Sequence, residues 1–249
     1  MLFIKIILRN ITRQKRRSIL TAMIIIVGYL MLSMALSIAE GSYGFLISTF
    51  TKQKTGHIQV QKNSYNKNPS IYKTIVNYKD ITTIINHEKS IISYSPRIKG
   101  AALAYGKQKS FPAEITGVDI LKENKTTNLN NSLHQAVDLK NLPKKWALIG
   151  DKVAKNLEVD TGDNIILISQ GKDGSIANDI FIIKGIFRGK QSMNTHSIFI
   201  DIVQAQNFYS IPTNEVHSIA FLLKSYKRSQ SLTSKLNLNN KNDIITRNN

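Results

Sequence analysis

The chain has 249 residues, 34 of them Lys or Arg against 16 Asp or Glu, for a formal charge of +18, and it contains no cysteine. The missing cysteine excludes disulfide frameworks, thiolate metal sites and lipid attachment at a lipobox. The positive charge does not form the stripe that would grip nucleic acid: six cations fall in the first 17 residues without one acid, and most others are lysines scattered among Asn and Ile.

Residues 1–17 predict a basic amphipathic helix on the cytoplasmic side. Ile4, Ile7, Leu8 and Ile11 recur on one helical face while Lys5, Arg9, Arg13 and Arg16 recur on another. Such a helix lies along an anionic membrane surface, so Lys5, Arg9, Arg13, Arg16 and Arg17 are the predicted contacts with membrane lipids.

The apolar run from Ser18 to Ala39 has 22 residues with neither charge nor proline. As a helix it is about 33 Å long, against a hydrocarbon core of about 30 Å, so residues 18–40 predict a transmembrane helix. Ser37 and Ala39 before Glu40 also fit a signal-peptide cleavage pattern, but a signal h-region is only about 7 to 15 residues long. The basic flank puts the N-terminus in the cytoplasm and everything after Glu40 outside, in the periplasm of a bacterial inner membrane. Thr21, Gly28 and Ala35, spaced by sevens, share one face, where small side chains let a second helix approach. Tyr43, Leu46, Ile47 and Phe50 continue the helical stripe, so residues 41–56 predict a stalk ended by Gly56.

Short strands follow. "HIQVQ" alternates as a half-buried strand, with Ile58 and Val60 on one side and His57 exposed on the other. Asp80 is placed to cap a helix carrying Ile81, Ile84 and Ile85. "IISYSPRIKGAALAYGKQKSFPAEITGVDI" reads as two strands about a turn at Gly106–Ser110, while residues 122–145 lose periodicity. "WALIG" opens a second unit. It holds a short helix with Val153, Ala154 and Leu157 on one face, a turn at Thr161–Asp163, a strand from Ile165, and strands in "IFIIKGIFRG" and "SIFID". Asp201 then caps a helix through "IVQAQNFY", and "VHSIAFLLK", a helix at 226–237 and "DIITR" complete the chain. Trp146 reads as a core or lobe-boundary anchor. The expected fold class is α+β: one N-terminal transmembrane helix with a stalk, then a mixed α/β two-lobed periplasmic core domain over 57–249. Its lobes fall at about 57–120 and 146–249 around an irregular insertion at about 121–145, with mostly local connections.

The chemistry-bearing motifs are few. There is no P-loop, and "GKDGS" at 171–175 sits between strands as a hairpin turn. The histidines (His57, His87, His134, His196, His217) lack metal-ligand spacing, and Asp151, Asp160 and Asp163 read as caps and turns rather than a calcium loop. Ser95 and Ser192 lie in no nucleophile elbow. No catalytic, metal or cofactor site is predicted.

The collinear order of "RNITRQKRRSILTAMIIIVGYLML", "TGHIQV", "SPRIKGAAL", "ITGVD", "ALIGDKVAKNLEVDTGDNIILI", "IKGIFRGK" and "SIFIDIVQAQNFY" resembles the FtsX-like ABC transporter permeases, especially lipoprotein-releasing and macrolide-exporter-type members. The resemblance implies a permease subunit paired with a separate cytoplasmic ATP-binding cassette subunit. ATP hydrolysis there moves the outer domain, for lipoprotein release or for export of amphiphiles or peptides, and a periplasmic lipoprotein carrier is a further implied partner. It also implies three more spans, expected from a second permease subunit or a split C-terminal membrane half. Two other readings stand beside it: an adaptor controlling a cell-wall hydrolase, and a singly anchored or secreted binding module.

Overall fold

The computed structural model describes residues 9, 13–50, 56–86, 88, 90–188, 194–224, 229, 233 and 244–248. Lys5, His87, Ser192 and nearly all of the predicted 226–237 helix lie outside them. The chain divides into two units, Met1–Thr49 and Phe50–Asn249.

The first unit is built on α1, Lys15–Phe50, 36 residues and so about 54 Å long. An 18-residue window within Lys15–Ser42 has a mean hydropathy of 2.4, and none of it is buried. A helix apolar all round belongs in a protein core or in lipid, and an uncovered one of this length is suited to a bilayer. Thr21 and Ser37 donate their hydroxyls to the carbonyls of Arg17 and Ser33, both at 2.9 Å, and so carry no unsatisfied donor into an apolar medium.

The second unit is organised by β3, Ile91–Gly106, a strand of 16 residues. One edge pairs with β4, Lys109–Val118, across a two-residue turn at Lys107 and Gln108. The other edge is shared. Its N-terminal half pairs with β10, Ser218–Leu223, and its residues Leu103–Tyr105 pair with β6, Asn164–Gln170. The β10 side continues through β1, Ile58–Lys62, to β11, Ile244–Asn248. The β4 side runs through β8, Ser197–Asp201, then β5, Trp146–Ile149, then β7, Ile176–Ile186, and back to β6. Six strands thus close into a ring, and β3 is the post from which the open part leaves. A two-stranded sheet of β2, Ile75–Val76, and β9, Glu215–Val216, stands apart.

Among the described residues these helices dress the frame: α2, Tyr78–Asn86; α3, Ile120–Thr127; α4, Asp151–Leu157; and α5, Ile202–Phe208. Asp201 caps α5, its Oδ1 accepting from the amides of Val203 at 2.8 Å and Gln204 at 3.4 Å. The main core lies inside the ring and under the open sheet, with Ile98, Ile115, Leu167, Phe181 and Ile200 fully buried. A second cluster outside β5 and β8 joins Leu129, Leu133, Trp146, Leu148, Phe187 and Phe199.

Several expectations need correction. Connections are not mostly local, since β4–β8 and β5–β7 are parallel pairs and β1 joins β10 across the whole domain. β1 is buried on both faces: Gln59 and Gln61 are enclosed along with Ile58 and Val60, and Gln59 donates to Ser218 Oγ at 3.5 Å. His57 is buried, not exposed, and its Nδ1 accepts the Leu223 amide at 3.0 Å. Asp80 lies in the first turn of α2 rather than capping it. The stretch expected to be irregular holds most of α3 and a 3₁₀ turn at Leu129–Ser132. Its periodicity was hidden because, beyond Ile120, α3 buries Glu123, Thr126 and Thr127 rather than apolar side chains.

Candidate functional site

In the first unit, Thr21, Gly28 and Ala35 are exposed along α1, and a Cβ built on Gly28 meets nothing within 4 Å. Arg16 and Arg17 are exposed at its N-terminal end, and Arg9 and Arg13 are exposed ahead of it.

The second unit carries a cleft at the fork of β3. Where β10 leaves the strand and before β6 joins it, the stretch Lys99–Ala101 has no strand on that edge, its other edge being paired with β4. The loop after β1 and the end of α5 fill part of the gap. The rest is a cleft of about 460 Å³ lined by Tyr65, Ile71, Lys99, Glu114, Ser169 and Tyr209 among others. Side chains replace the missing strand's hydrogen bonds. The Lys99 amide donates to His217 Nδ1 at 3.1 Å, and the Ala101 carbonyl accepts from Ser169 Oγ at 2.6 Å and Tyr209 Oη at 3.3 Å.

Gly100 makes this arrangement possible. A Cβ there would lie 2.5 Å from Tyr209 Cζ, so the Tyr209 ring rests directly on the backbone of β3. Tyr209 and Tyr65 are both buried, and burial pushes both phenols well above their usual pKa; Glu114 adds to the rise in each. Glu114 projects from β4 opposite Ala101, half-buried.

Behind the cleft wall, His217 is completely buried and its ring lies 5.6 Å from that of Tyr65. Nδ1 accepts from an amide, so Nε2 holds the proton and donates it to the Ile71 carbonyl at 3.1 Å. The neutral ring satisfies both nitrogens, and burial lowers its pKa to about 4, with Lys172 and Lys99 adding to the fall. Lys172 Nζ donates to Glu215 Oε2 at 2.5 Å and to Thr74 Oγ1 at 3.2 Å, and Thr74 donates to the same carboxylate. Burial acts to raise the Glu215 pKa, but these donors outweigh it and hold the carboxylate below its ordinary range. The "GKDGS" hairpin is thereby tied to β9.

None of the cleft residues stood out in the sequence. The one available signal was Glu114, an acid on the strand "SFPAEITGV" between buried Ala113 and Ile115. Among the described residues no group of three or more His, Asp or Glu is placed to hold a metal. Asp160 and Asp163 serve the turn, accepting from the amides of Thr161 at 2.7 Å and Asp160 at 2.9 Å respectively.

A bilayer-length apolar helix followed by a mixed α/β domain defines a class of membrane-anchored extramembrane modules. Residues 18–237 match the model of the MacB-like periplasmic core domain, and the chain belongs to that family. Two solved structures share the fold. One is the periplasmic region of MacB from Actinobacillus actinomycetemcomitans, with TM-score 0.52 and 16% identity, covering 77% of this chain and 87% of that one. The other is the extracellular domain of the noncanonical ABC-type transporter YknZ from Gram-positive bacteria, with TM-score 0.51 and 11% identity, covering 77% and 99%. Among curated proteins none matches. The domain is accordingly of the ABC transporter permease type.

Proposed function

We propose that the chain is the membrane-anchored outer part of an ABC transporter permease, in which ATP hydrolysis by a separate cassette subunit moves the core domain. The movement serves lipoprotein release or export of amphiphiles or peptides at the outer face of the inner membrane. One observation carries this reading: the family match runs without interruption from the apolar helix into the core domain, over residues 18–237. In this reading the N-terminus is cytoplasmic, and Lys5, Arg9, Arg13, Arg16 and Arg17 hold the inner membrane surface. Thr21, Gly28 and Ala35 pack against helices of a second permease subunit or of a separately encoded membrane half.

The test is affinity purification of the full chain from detergent-solubilised membranes, followed by an ATPase assay. An ATP-binding cassette protein is expected to co-purify, with its ATP turnover dependent on the chain. Recovery of the chain from the membrane with no such protein, at any detergent strength that preserves other ABC complexes, refutes the reading. Orientation is tested independently: the natural chain has no cysteine, so Lys109→Cys supplies a single thiol in the core domain. A membrane-impermeant maleimide is expected to label it from outside the inner membrane; labelling only after lysis reverses the topology.

A further inference from the structure

The cleft at the fork of β3 holds two polar groups with no structural duty. Among the described residues Glu114 makes no side-chain hydrogen bond and has no cation within 4 Å. Tyr65 is 6% exposed, and its hydroxyl, which has no hydrogen-bond partner among the described residues, is not enclosed but opens on the cleft. The other acids around this wall are committed: Glu215 holds Lys172 and Thr74, and Asp173 accepts from Ser175. A carboxylate facing two tyrosines without a counter-ion is an arrangement that a bound ammonium completes.

The cleft has an opposite charge as well. Lys99 is two residues from Ala101 on the same face of β3, and Ala101 is the register partner of Glu114, so the acid and the lysine are diagonal neighbours about 7–8 Å apart at their backbones. Lys99 is engaged elsewhere as well, and its ammonium, with three donors, would take the ligand carboxylate as an additional acceptor. Between and beside these charges the walls are apolar, formed by Tyr65, Pro69, Ile71 and Tyr209. At 460 Å³ the space is near the lower end of small-molecule sites, which run about 300–1,000 Å³.

We propose that this cleft binds a small apolar zwitterion, a free amino acid or dipeptide with an aliphatic or aromatic side chain. The ligand ammonium lies against the Glu114 carboxylate and the Tyr65 hydroxyl, its carboxylate faces Lys99, and its side chain rests on Tyr65, Ile71 and Tyr209. Each ligand charge meets its complement, and a ligand with one charge leaves one protein group without a partner at the cost of its desolvation. The site stands apart from the transport reading, since it is complete within the core domain and its test requires no ATPase.

The experiment is saturation-transfer NMR and calorimetric titration of the full chain in detergent. The probes are L-phenylalanine and L-leucyl-L-leucine, with L-phenylalanine methyl ester and N-acetyl-L-phenylalanine as analogues lacking one charge each. Saturable binding of at least one zwitterion is expected, with each single-charge analogue about tenfold weaker or more. Binding of the amino acid alone assigns the site to free amino acids, and binding of the dipeptide alone assigns it to peptides. Glu114→Gln and Lys99→Gln are each expected to weaken binding about tenfold, and Tyr65→Phe, which keeps the ring, about fivefold. Unchanged Trp146 emission serves as the folding control for each variant. No saturable binding of either zwitterion overturns the proposal, as does an ester that binds as tightly as the amino acid, or Glu114→Gln binding unchanged. If Glu114→Gln does not fold, the two analogues and Tyr65→Phe decide the matter on their own.

Discussion

Acidification from pH 7.5 to 5.0 is expected to weaken the core domain through His217. In the unfolded chain this imidazole takes up a proton near 6.5; in the folded chain it resists until about 4. The unfolded state therefore binds more protons throughout that interval, and stability falls as pH falls. Above 6.5 the contribution is fully present, and below 4 it is gone. Across the whole interval the loss is about 3 kcal/mol, and at pH 5.0 about 2 kcal/mol of it is reached. The first cause is burial, which disfavours the charged ring, with Lys172 and Lys99 adding like charge; an added proton on Nδ1 would also face the Lys99 amide.

Lys99 and Lys172 stand beside the ring, and burial raises the Tyr65 phenol further from this window. Glu215, held below its ordinary range, loses its contribution only toward the acid end. The assay is urea denaturation of the chain in detergent, followed by the emission of Trp146, the single tryptophan and a buried one. With a slope of about 2 kcal/mol per molar urea, the midpoint is expected to fall by about 1 M. His217→Asn, which keeps an acceptor near the Lys99 amide, should be less stable at pH 7.5 but should lose most of the difference between the two pH values. Equal pH dependence in the variant and the natural chain refutes the reasoning.

The other expectations use the same denaturation assay. Arg97 and Glu123 form a buried bidentate pair, at 3.0 and 2.6 Å, with Thr127 donating to the same carboxylate at 2.9 Å. Glu123→Ala should cost about 3–5 kcal/mol by taking the carboxylate from a buried guanidinium, whereas Arg97→Met with Glu123→Leu should recover most of it; a loss under about 1 kcal/mol for the single change contradicts this account. Gly100→Ala should cost about 1–3 kcal/mol, since a Cβ there meets the Tyr209 ring at 2.5 Å, and an unchanged midpoint would show that the ring moves freely. Ser95 Oγ is buried without a hydrogen-bond partner, so Ser95→Ala should be neutral or stabilising by up to about 1 kcal/mol, and a clear loss would reveal a partner for the hydroxyl.

The parts of the fold legible in the sequence are those set by neighbours along the chain. The apolar run before Glu40 shows α1, turn chemistry shows the β3–β4 and β6–β7 hairpins, and Asp201 before "IVQAQNFY" shows the start of α5. Periodicity failed where burial does not follow hydrophobicity. α3 turns Glu123, Thr126 and Thr127 inward because Arg97 and Ser93 meet them there, and β1 buries Gln59 and Gln61 as well as Ile58 and Val60, Gln59 donating to the Ser218 hydroxyl. The cleft was invisible for a different reason. Tyr65, Lys99, Glu114, Ser169 and Tyr209 come from five separate elements and connections, and only the departure of β10 from β3 brings them together. No spacing along the sequence encodes that meeting.

The shared strand has a mechanical consequence. A pull applied near Ile91 runs along one covalent backbone into the closed ring, so the open sheet and the ring cannot separate by slipping past each other. Separation requires shearing the hydrogen bonds on the edges of β3 together, which resists load far better than opening them one by one. Amide exchange along Arg97–Tyr105 is accordingly expected only with global unfolding, whereas early exchange confined to Leu103–Tyr105 would mark the β3–β6 seam as the place where the ring opens.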